Sequence, residues 1–589
     1  MSRRPCLVAA LLLLLGACAG PREQTAADDA DERLRALYER AWAWRQGENG
    51  RRRSAAGAWE ADDRWPRVDA ASQARRLAYW QDVLAELDTI PRQALSPEER
   101  INAAVFREII QGLAGTVRYR SYEAPLNSDT FFWTRLHPRG SGFDDIDGYR
   151  RYLARLRDIP RLFDEHIANM RSGLARGFTP PAVTLRGRDA SVEAYLVVGP
   201  ENPFHGPLRH FPAGMDAAAR GAVEREVAAA LEEAVIPAYR RLLAFLREEY
   251  LPGARRTLAA RDLPEGEAFY RAQIRRYTTL DLAPREIHDT GLREVARIRA
   301  AMEAILEELE YPGSMAEFFA FLRSDPQFYA QTPEQLLGVS AYTAKRMDAH
   351  LDEVLGFLPR RRFTIAPVPA EIAPVYTAGR GGLERCLMNT WNLPARPLYT
   401  IPALTLHECA PGHALQAAIA LEAPGDIPEF RARNYFSGYG EGWGLYTEWL
   451  GGELGIYRTP YERFGQLSYE MWRACRLVID TGVHYFGWSR ERAIAYLADH
   501  AALSRHEVTT EVDRYISWPA QALAYKLGEL LIRDKRAQAE AALGPDFDPR
   551  HFHDRILALR SVPLEVLSQQ LDQWIAAGGP DPYAGSAGD

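Results

Sequence analysis

The sequence predicts a mainly α-helical protein with one small β-sheet. Apolar residues recur at spacings of three and four over most of the 589-residue chain, which is the period of an amphipathic helix. The exception is a stretch between about residues 361 and 402, where short strand-like runs flank a glycine cluster. The composition, 47% hydrophobic and 26% charged, excludes a disordered chain. The formal charge of -7, without a dense cluster of basic residues, excludes nucleic acid as the expected partner.

The chain opens with two arginines and an apolar run that is too short to span a bilayer, M-S-R-R-P-C-L-V-A-A-L-L-L-L-L-G-A-C. Residues 1–17 are therefore predicted to be a secretion signal. The sequence from Leu15 to Cys18 resembles a bacterial lipobox, which implies cleavage before Cys18 and a lipid on its sulfur; an ordinary cleaved signal is the alternative. Because Ala19 and not aspartate follows, the resemblance implies the outer membrane, with the protein facing the periplasm. The small, polar residues 18–30 are expected to be a tether.

Residues 31–580 are predicted to form a single large helical domain, with a motif core at about 370–575. No fixed-period repeat is present, so a solenoid is not expected. Prolines inside the helical runs mark kinks or ends. The clearest amphipathic runs are residues 34–44, 75–87, 149–163, 227–246 and 551–571.

The predicted sheet consists of residues 361–369 and 383–391, joined by a glycine turn at residues 378–382. It leads directly into the most informative motif of the chain. Besides Cys18, three cysteines follow the leader, Cys386, Cys409 and Cys475. We expect three buried thiols, with a bridge between one unspecified pair as the alternative.

The motif T-L-H-E-C-A-P-G-H begins like the zinc-protease signature H-E-x-x-H. Histidines four apart on a helix are separated by about 400° of turn and share a face, whereas histidines six apart are separated by about 600°, which leaves them about 120° apart around the helix, on different faces. His407 and His413 can therefore be co-ligands only if the helix breaks between them. Pro411 and Gly412 favour such a break. The site is either built around a distorted turn or is not a metal site.

A third ligand is predicted at Glu441, twenty-eight residues after His413, in the run Y-G-E-G-W-G-L-Y-T-E. Gly442 and Gly444 remove bulk around it. Glu448 is two helical turns further on the same face and is expected to be a supporting or solvent-facing carboxylate. Two imidazoles and one carboxylate suit zinc, one ion per chain, better than magnesium or calcium, although other first-row metals remain open.

These motifs, with D-T-G-V-H-Y-F-G-W-S and R-Y-I-S-W-P-A-Q-A-L-A-Y-K-L-G-E-L, resemble the bacterial lipoproteins catalogued as domain of unknown function 885. That family is similar to the gluzincin metallopeptidases, which implies a helical gluzincin-like body and a peptide substrate. The resemblance implies that Glu408 is the general base and that Tyr515 and His484 are donors to the carbonyl oxygen. Arg380, Arg514 and Lys526 are candidates to anchor a substrate carboxylate. Asn389 is placed on an edge strand that pairs with the peptide.

One position departs from the family pattern, since many members have two histidines after Pro-Gly and this chain has His413 and Ala414. Cys409 is an alternative donor as a thiolate, against the role of a buried neutral thiol. The sequence thus predicts a zinc-dependent hydrolase of peptide bonds, held in the envelope by a lipid at Cys18. The alternatives are an amidase or endopeptidase acting on cell-wall peptides, and a non-catalytic binding protein that keeps the fold.

Overall fold

The structure is a computed structural model that describes residues 21–138, 142–370 and 373–584. The predicted signal and Cys18 lie outside these residues. The helices of the first part are α1 (Pro21–Glu48), α2 (Ala70–Asp88), α3 (Pro97–Arg118), α4 (Ile146–Arg176), α5 (Ala182–Leu185), α6 (Ala217–Ala230), α7 (Ile236–Phe245), α8 (Leu251–Gly253), α9 (Gly266–Thr278), α10 (Pro284–Glu308), α11 (Met315–Ser324), α12 (Pro333–Asp348) and α13 (Leu351–Val354).

The helices of the second part contain the motif core. They are α14 (Ile401–Glu408), α15 (His413–Glu422), α16 (Glu429–Ala432), α17 (Ser437–Glu453), α18 (Pro460–His484), α19 (Arg490–His500), α20 (Arg505–Ser517), α21 (Ala524–Leu543), α22 (Pro549–Ala558) and α23 (Leu564–Ala576). The prediction of a mainly helical protein is confirmed. No helix among the described residues is both long and apolar enough to cross a bilayer.

Within the described residues, five short strands form two sheets. β1 (Arg51–Arg53) and β2 (Trp59–Ala61) form an antiparallel hairpin that the sequence analysis missed. β3 (Thr364–Pro367), β4 (Gly379–Gly381) and β5 (Arg385–Met388) form a three-stranded sheet in the order β3-β5-β4. The predicted glycine turn is therefore itself an edge strand, antiparallel to β5, because glycine does not prevent pairing where a neighbouring backbone is available.

The predicted tether at residues 18–30 is too long. α1 begins at Pro21, and Ala30 is already buried in the hydrophobic core. Small, polar residues allow a helix whenever one end of it packs against a core, and this packing is not visible in the composition.

The long central helices position the motif core. α18 begins after Thr459, whose side chain accepts a hydrogen bond from the N–H of Glu462, and Pro460 occupies the first helical position. α18 is buried along most of its length and packs along α10, while α17 packs along α21. The largest hydrophobic cluster includes residues from α1 to α3 and from α10 to α23, and a second cluster joins α4, α6 and α7. α14 and α17, which hold the motif residues, contact each other inside the larger cluster.

Candidate metal centre

The helix that begins the motif ends where the sequence predicts a break. α14 stops at Glu408, a turn occupies residues 409–412, and α15 starts at His413. The N–H of Gly412 donates to the carbonyl of Leu406 at 3.0 Å. A Cβ at Gly412 would lie 1.9 Å from the carbonyl oxygen of His407, so only glycine fits. The peptide bond between Ala410 and Pro411 is cis.

The turn is joined covalently to the small sheet. Cys409 forms a disulfide with Cys386 of β5, and Cys475 is a buried free thiol. The expectation of three free thiols is therefore wrong, and the alternative of one bridged pair is confirmed. The two half-cystines are 23 residues apart in sequence, and only the packing of β5 beside α14 brings them together. A bridged Cys409 also cannot serve as a thiolate ligand.

Three predicted ligands converge. One donor atom from each of His407, His413 and Glu441 lies within 4.8 Å of the other two. Oε2 of Glu441 is 3.6 Å from Nε2 of His407 and 3.4 Å from Nε2 of His413. The two imidazole rings are nearly perpendicular, with centroids 4.8 Å apart. The break thus turns both histidines toward one carboxylate.

Glu448 lies behind the cluster and not in solvent. Its Oε1 is 2.8 Å from Nδ1 of His407, the nitrogen that faces away from Glu441, and the carboxylate is completely buried. Nη2 of Arg473 on α18 lies 3.3 Å from the same Oε1. A carboxylate on the far nitrogen fixes the orientation and tautomer of a metal-binding imidazole. Arg473, which the sequence analysis did not identify, neutralises that carboxylate.

α17 is fitted closely against the motif. Gly444 faces the imidazole of His407, and a Cβ there would lie 2.7 to 3.0 Å from the ring atoms. Nε1 of Trp443 donates to the carbonyl of Pro411 at 2.9 Å, and the hydroxyl of Thr447 donates to the carbonyl of Leu406 at 3.1 Å. The predicted role of Gly442 differs, because Gly442 packs on Gly528 of α21. α17 therefore holds both the turn and the histidine ring.

The charges of the centre favour a bound cation. Burial by itself lowers the pKa of His407, but Glu441 and Glu448 outweigh burial and raise this pKa to about 10. Burial raises the pKa of Glu441, but its contacts with His407 and His413 hold it well below the ordinary range. The imidazole of His407 thus lies between the carboxylates of Glu441 and Glu448, an environment that the histidine ligand of a divalent cation commonly has.

Glu408 is held by the edge strand. The N–H of Gly381 in β4 donates to Oε2 of Glu408 at 2.5 Å. In an antiparallel pair, alternate residues direct their N–H groups away from the partner strand, and Gly381 uses that free direction. The free edge of β4 therefore lies beside Glu408. The prediction that Asn389 lies on this edge is wrong, because Asn389 follows β5, the central strand, and its buried amide donates to the carbonyls of residues 373, 376 and 377.

Two residues at the mouth of the centre carry groups that point toward it. The hydroxyl of Tyr435 donates to Oε1 of Glu441 at 3.3 Å, and the residue is 54% exposed. Arg380 lies in β4 and is exposed, and a hydrogen bond to Tyr376, with the charges of Glu408 and Glu441, raises its pKa. Arg380 therefore remains a candidate for substrate contact, and Tyr435 is a new candidate. No sequence pattern pointed to Tyr435, which lies six residues before Glu441.

Tyr515 and His484 have other partners. The buried hydroxyl of Tyr515 accepts from Nε1 of Trp472 at 2.7 Å and from Nε of Arg476 at 3.0 Å. The ring of His484 is fully buried, with Nδ1 accepting from the N–H of Ala260 at 3.1 Å and Nε2 2.9 Å from the carbonyl of Tyr515. Burial lowers the pKa of His484 to about 3, so the ring is neutral. Both ring nitrogens of His484 are occupied, so the prediction that it donates to a substrate is wrong. The role predicted for Tyr515 stays a prediction, because a hydroxyl that accepts two hydrogen bonds still carries a proton that it can donate.

Lys526 and Arg514 are also engaged within the protein. Lys526 is fully buried, and its Nζ lies 2.8 to 3.0 Å from carboxylate oxygens of Glu294, Glu470 and Glu529. The prediction that Lys526 anchors a substrate is therefore wrong, because a lysine among three carboxylates has no free donor for a ligand. Arg514 donates to Oε1 of Gln521 at 2.8 Å and lies 3.6 Å from Glu511.

The match to a family model covers residues 50–571, nearly the whole of the helical body and all of the metal-centre residues. The family is described as "Bacterial protein of unknown function (DUF885)". This chain belongs to the DUF885 family. No protein with a curated description matches the sequence.

Two solved structures similar to this DUF885 protein are each described as a "putative lipoprotein". The one from Colwellia psychrerythraea is 26% identical, with a TM-score of 0.81 over 94% of this chain and 99% of its own. The one from Shewanella oneidensis, described further as "of unknown function", is 18% identical, with a TM-score of 0.68 over 92% of this chain and 99% of its own. The helical architecture with its small sheets is therefore a shared fold.

Proposed function

We propose that this DUF885 protein is a zinc-dependent hydrolase of peptide bonds with a gluzincin-like active site. The observation that carries the proposal is the convergence of His407, His413 and Glu441, with Glu408 next to His407 in the chain and held by the N–H of Gly381. Two histidines, one carboxylate and an open position are a common donor set of catalytic zinc. The resemblance of the motifs to gluzincins supports the same conclusion.

The two distances from Glu441 to the histidines fit the metal. Bonds of about 2.0 to 2.1 Å in a tetrahedral site place ligand atoms about 3.4 Å apart. Oε2 of Glu441 lies 3.4 Å from Nε2 of His413 and 3.6 Å from Nε2 of His407. Ala414, where many members have histidine, is completely buried, so His413 is the residue that supplies the donor. The buried Glu448 completes the support of His407.

Each protein group has a defined task in this proposal. Zinc, when bound, polarises the substrate carbonyl and makes water more acidic. Glu408 accepts a proton from the attacking water and delivers it to the leaving amine. The hydroxyl of Tyr435, which lies beside the ligand Glu441, is assigned the stabilisation of the developing negative charge on the carbonyl oxygen, in place of Tyr515. The free edge of β4 pairs with the peptide as an added strand.

We propose further that the protein is anchored by a lipid at Cys18 in the outer membrane and acts on peptides in the periplasm. The leader and the lipobox-like sequence support this location, as does the similarity to two proteins that are each described as a "putative lipoprotein". An envelope location also suits the alternative substrate, a cell-wall peptide. A non-catalytic binding protein is the other alternative.

The test is metal content and peptide cleavage in one set of variants. We expect about one zinc per wild-type chain by mass spectrometry, lost in His413→Ala and in Glu441→Ala. Glu408→Gln is expected to keep zinc and to lose hydrolysis by a factor of about 10² to 10⁴, the usual effect of removing a general base. Glu422→Gln, on α15, is the control and should keep both. Zinc retained in both ligand variants, or equal cleavage by Glu408→Gln, would contradict the proposal.

The substrate alternatives separate in the same assay. Cleavage of peptides of L-residues supports a general peptidase, whereas cleavage confined to peptides with D-residues supports the cell-wall enzyme. Zinc that affects only the unfolding temperature, with no cleavage of either set, would support the binding protein.

A further inference from the structure

A cavity of about 210 Å³ lies beside the active-site helix, outside the metal centre. Its walls come from the end of the small sheet, the first turn of α14, the middle of α18 and the start of α20. Apolar and aromatic walls are formed in part by Leu404, Tyr399 and Tyr469. No predicted catalytic function uses this cavity.

The cavity adjoins Glu408 along both elements that hold that residue. Leu404, in its wall, precedes Glu408 by four residues, so the two side chains share one face of α14 about 6 Å apart along the axis. Ala378, also in its wall, directly precedes β4. A Cβ placed on Gly379 would touch both Glu408 and Leu404, at 3.3 and 3.4 Å. A strand advances about 3.3 Å per residue, so the cavity is about two substrate residues away from Glu408.

The charged groups in the cavity wall are mostly positive. Arg323, Arg396 and Arg505 contribute three guanidinium groups, and Glu507 contributes the single carboxylate. Nη1 of Arg396 lies 3.6 Å from Oε1 of Glu507, while Nε of Arg396 is buried and has no hydrogen-bond partner. Arg505 is exposed, and its guanidinium group forms no hydrogen bond or ion pair with any residue that the structure describes. Two positive charges thus remain unbalanced.

The guanidinium of Arg323 mainly holds the cavity wall in place and offers few donors to a ligand. Its Nε donates to the carbonyl of Leu503 and its Nη2 to the carbonyl of Ala501, both at 3.0 Å. These bonds hold the segment before α20 in place, so that Arg505 stands at the rim. The donors left for a ligand are those of Arg396 and Arg505. A guanidinium matches the two oxygens of a carboxylate and makes charge-assisted hydrogen bonds to it.

We propose that this cavity is a specificity pocket for an acidic side chain of the substrate peptide, located about two residues from the bond that is cleaved. The proposal rests on the proposed peptidase function for the position of the peptide. The binding of the carboxylate itself rests only on Arg396 and Arg505.

Binding is measured on the full chain carrying Glu408→Gln, so that no peptide is consumed. The probes are blocked alanine heptapeptides with one glutamate, scanned through the positions, and the same peptides with glutamine. At one position we expect the glutamate peptide to bind about tenfold more tightly than its glutamine partner, the ratio that about 1.4 kcal/mol produces. Arg505→Gln should remove most of this preference. Arg271→Gln, an equal loss of charge on the exposed face of α9, should leave it unchanged.

The outcomes distinguish this proposal from the proposed function. Equal binding of the glutamate and glutamine peptides, absence of binding by both, or an unchanged preference in Arg505→Gln would overturn the pocket, even if the wild-type protein cleaves peptides. A glutamate preference that Arg505→Gln removes would support the pocket, even if no peptide is hydrolysed, and in that case only the peptidase proposal would fail. Arg396→Lys, which keeps the ion pair with Glu507, is the second variant. It should weaken the glutamate preference less than Arg505→Gln does.

Discussion

For a single side chain in the motif core, the contacts that it already makes indicate whether it is available to contact a substrate. Tyr515 and Tyr435 are both tyrosines near family-like motifs, but the hydroxyl of Tyr515 already accepts from Trp472 and Arg476, whereas that of Tyr435 donates to Glu441 from a half-exposed ring. Tyr515 is fully buried, so a substrate could reach its hydroxyl only by displacing the residues packed around it, whereas Tyr435 is exposed beside the metal centre. Tyr435 is therefore the tyrosine whose chemistry is available.

Tyr435→Phe removes the hydroxyl and keeps the ring. If Tyr435 stabilises the charge on the carbonyl oxygen, kcat should fall by a factor of about 10² to 10³, the effect of losing one such donor. Zinc content should stay at the wild-type value, because none of the three ligands is changed. Tyr342→Phe, at a half-exposed tyrosine on α12, is the matched control. A KM that rises while kcat stays constant would show that Tyr435 binds substrate without assisting the reaction.

At the level of secondary structure, the metal centre depends on where α14 ends and on how closely α17 packs against it. α14 and α15 would form one helix if residues 409–412 continued it, and His407 and His413 would then point apart. The turn reverses this, and the disulfide between Cys409 and Cys386 ties it to β5. α17 then covers the turn, with Gly444 against the ring of His407. Adding one methyl group at Gly444 would therefore displace the ring of His407.

Gly444→Ala should displace the ring of His407, since the added methyl group would lie within 3.0 Å of it. We expect zinc affinity to fall at least about tenfold and the free energy of unfolding to fall by about 1 to 3 kcal/mol, the usual cost of overpacking. Gly452→Ala is the matched control on the same helix, because a Cβ there meets nothing within 4 Å. That control should keep zinc and gain up to about 1 kcal/mol of stability from helix propensity. Equal zinc affinities in the two variants would contradict the contact.

Across the whole molecule, segments that are far apart in sequence bury charged side chains together, and no sequence pattern predicts which of these side chains meet. Lys526 brings together Glu294 of α10, Glu470 of α18 and Glu529 of α21. Asp480 of α18 is completely buried, where it accepts from the hydroxyl of Tyr270 at 2.6 Å and from the N–H of Ala520 at 3.0 Å. Burial raises the pKa of Asp480 to about 7 in spite of these bonds.

This carboxyl predicts a dependence of stability on pH. Because the pKa of Asp480 is raised on folding, the folded protein binds a proton more tightly, and this contribution is complete below pH about 4 and is lost as the pH rises to about 7. Each unit of pKa difference corresponds to about 1.4 kcal/mol. Between pH 4.5 and 7.5 the wild type should lose stability relative to Asp480→Asn, measured by denaturant unfolding. An exposed control, Asp352→Asn, should follow the wild type, and a constant difference between wild type and Asp480→Asn would contradict the prediction.

Features that depend on local spacing can be predicted from the sequence. The period of three and four residues established the helical class, and the pair Pro411 and Gly412 established the break before His413. The two-turn separation of Glu441 and Glu448 placed both on one face of α17, and both contact His407. Backbone periodicity and glycine or proline geometry act within a few residues, so they can be seen in the sequence.

Contacts between residues far apart in the chain are visible only in the folded protein. It paired Cys386 with Cys409, made Gly379–Gly381 an edge strand, and placed Arg473 behind Glu448. It also surrounded Lys526 and His484 with partners, although their types and their neighbouring motifs had suggested catalysis or binding. The physical reason is that hydrogen bonds and ion pairs depend on distances of about 3 Å between atoms. Packing sets such distances between residues far apart in sequence, where no local pattern records them.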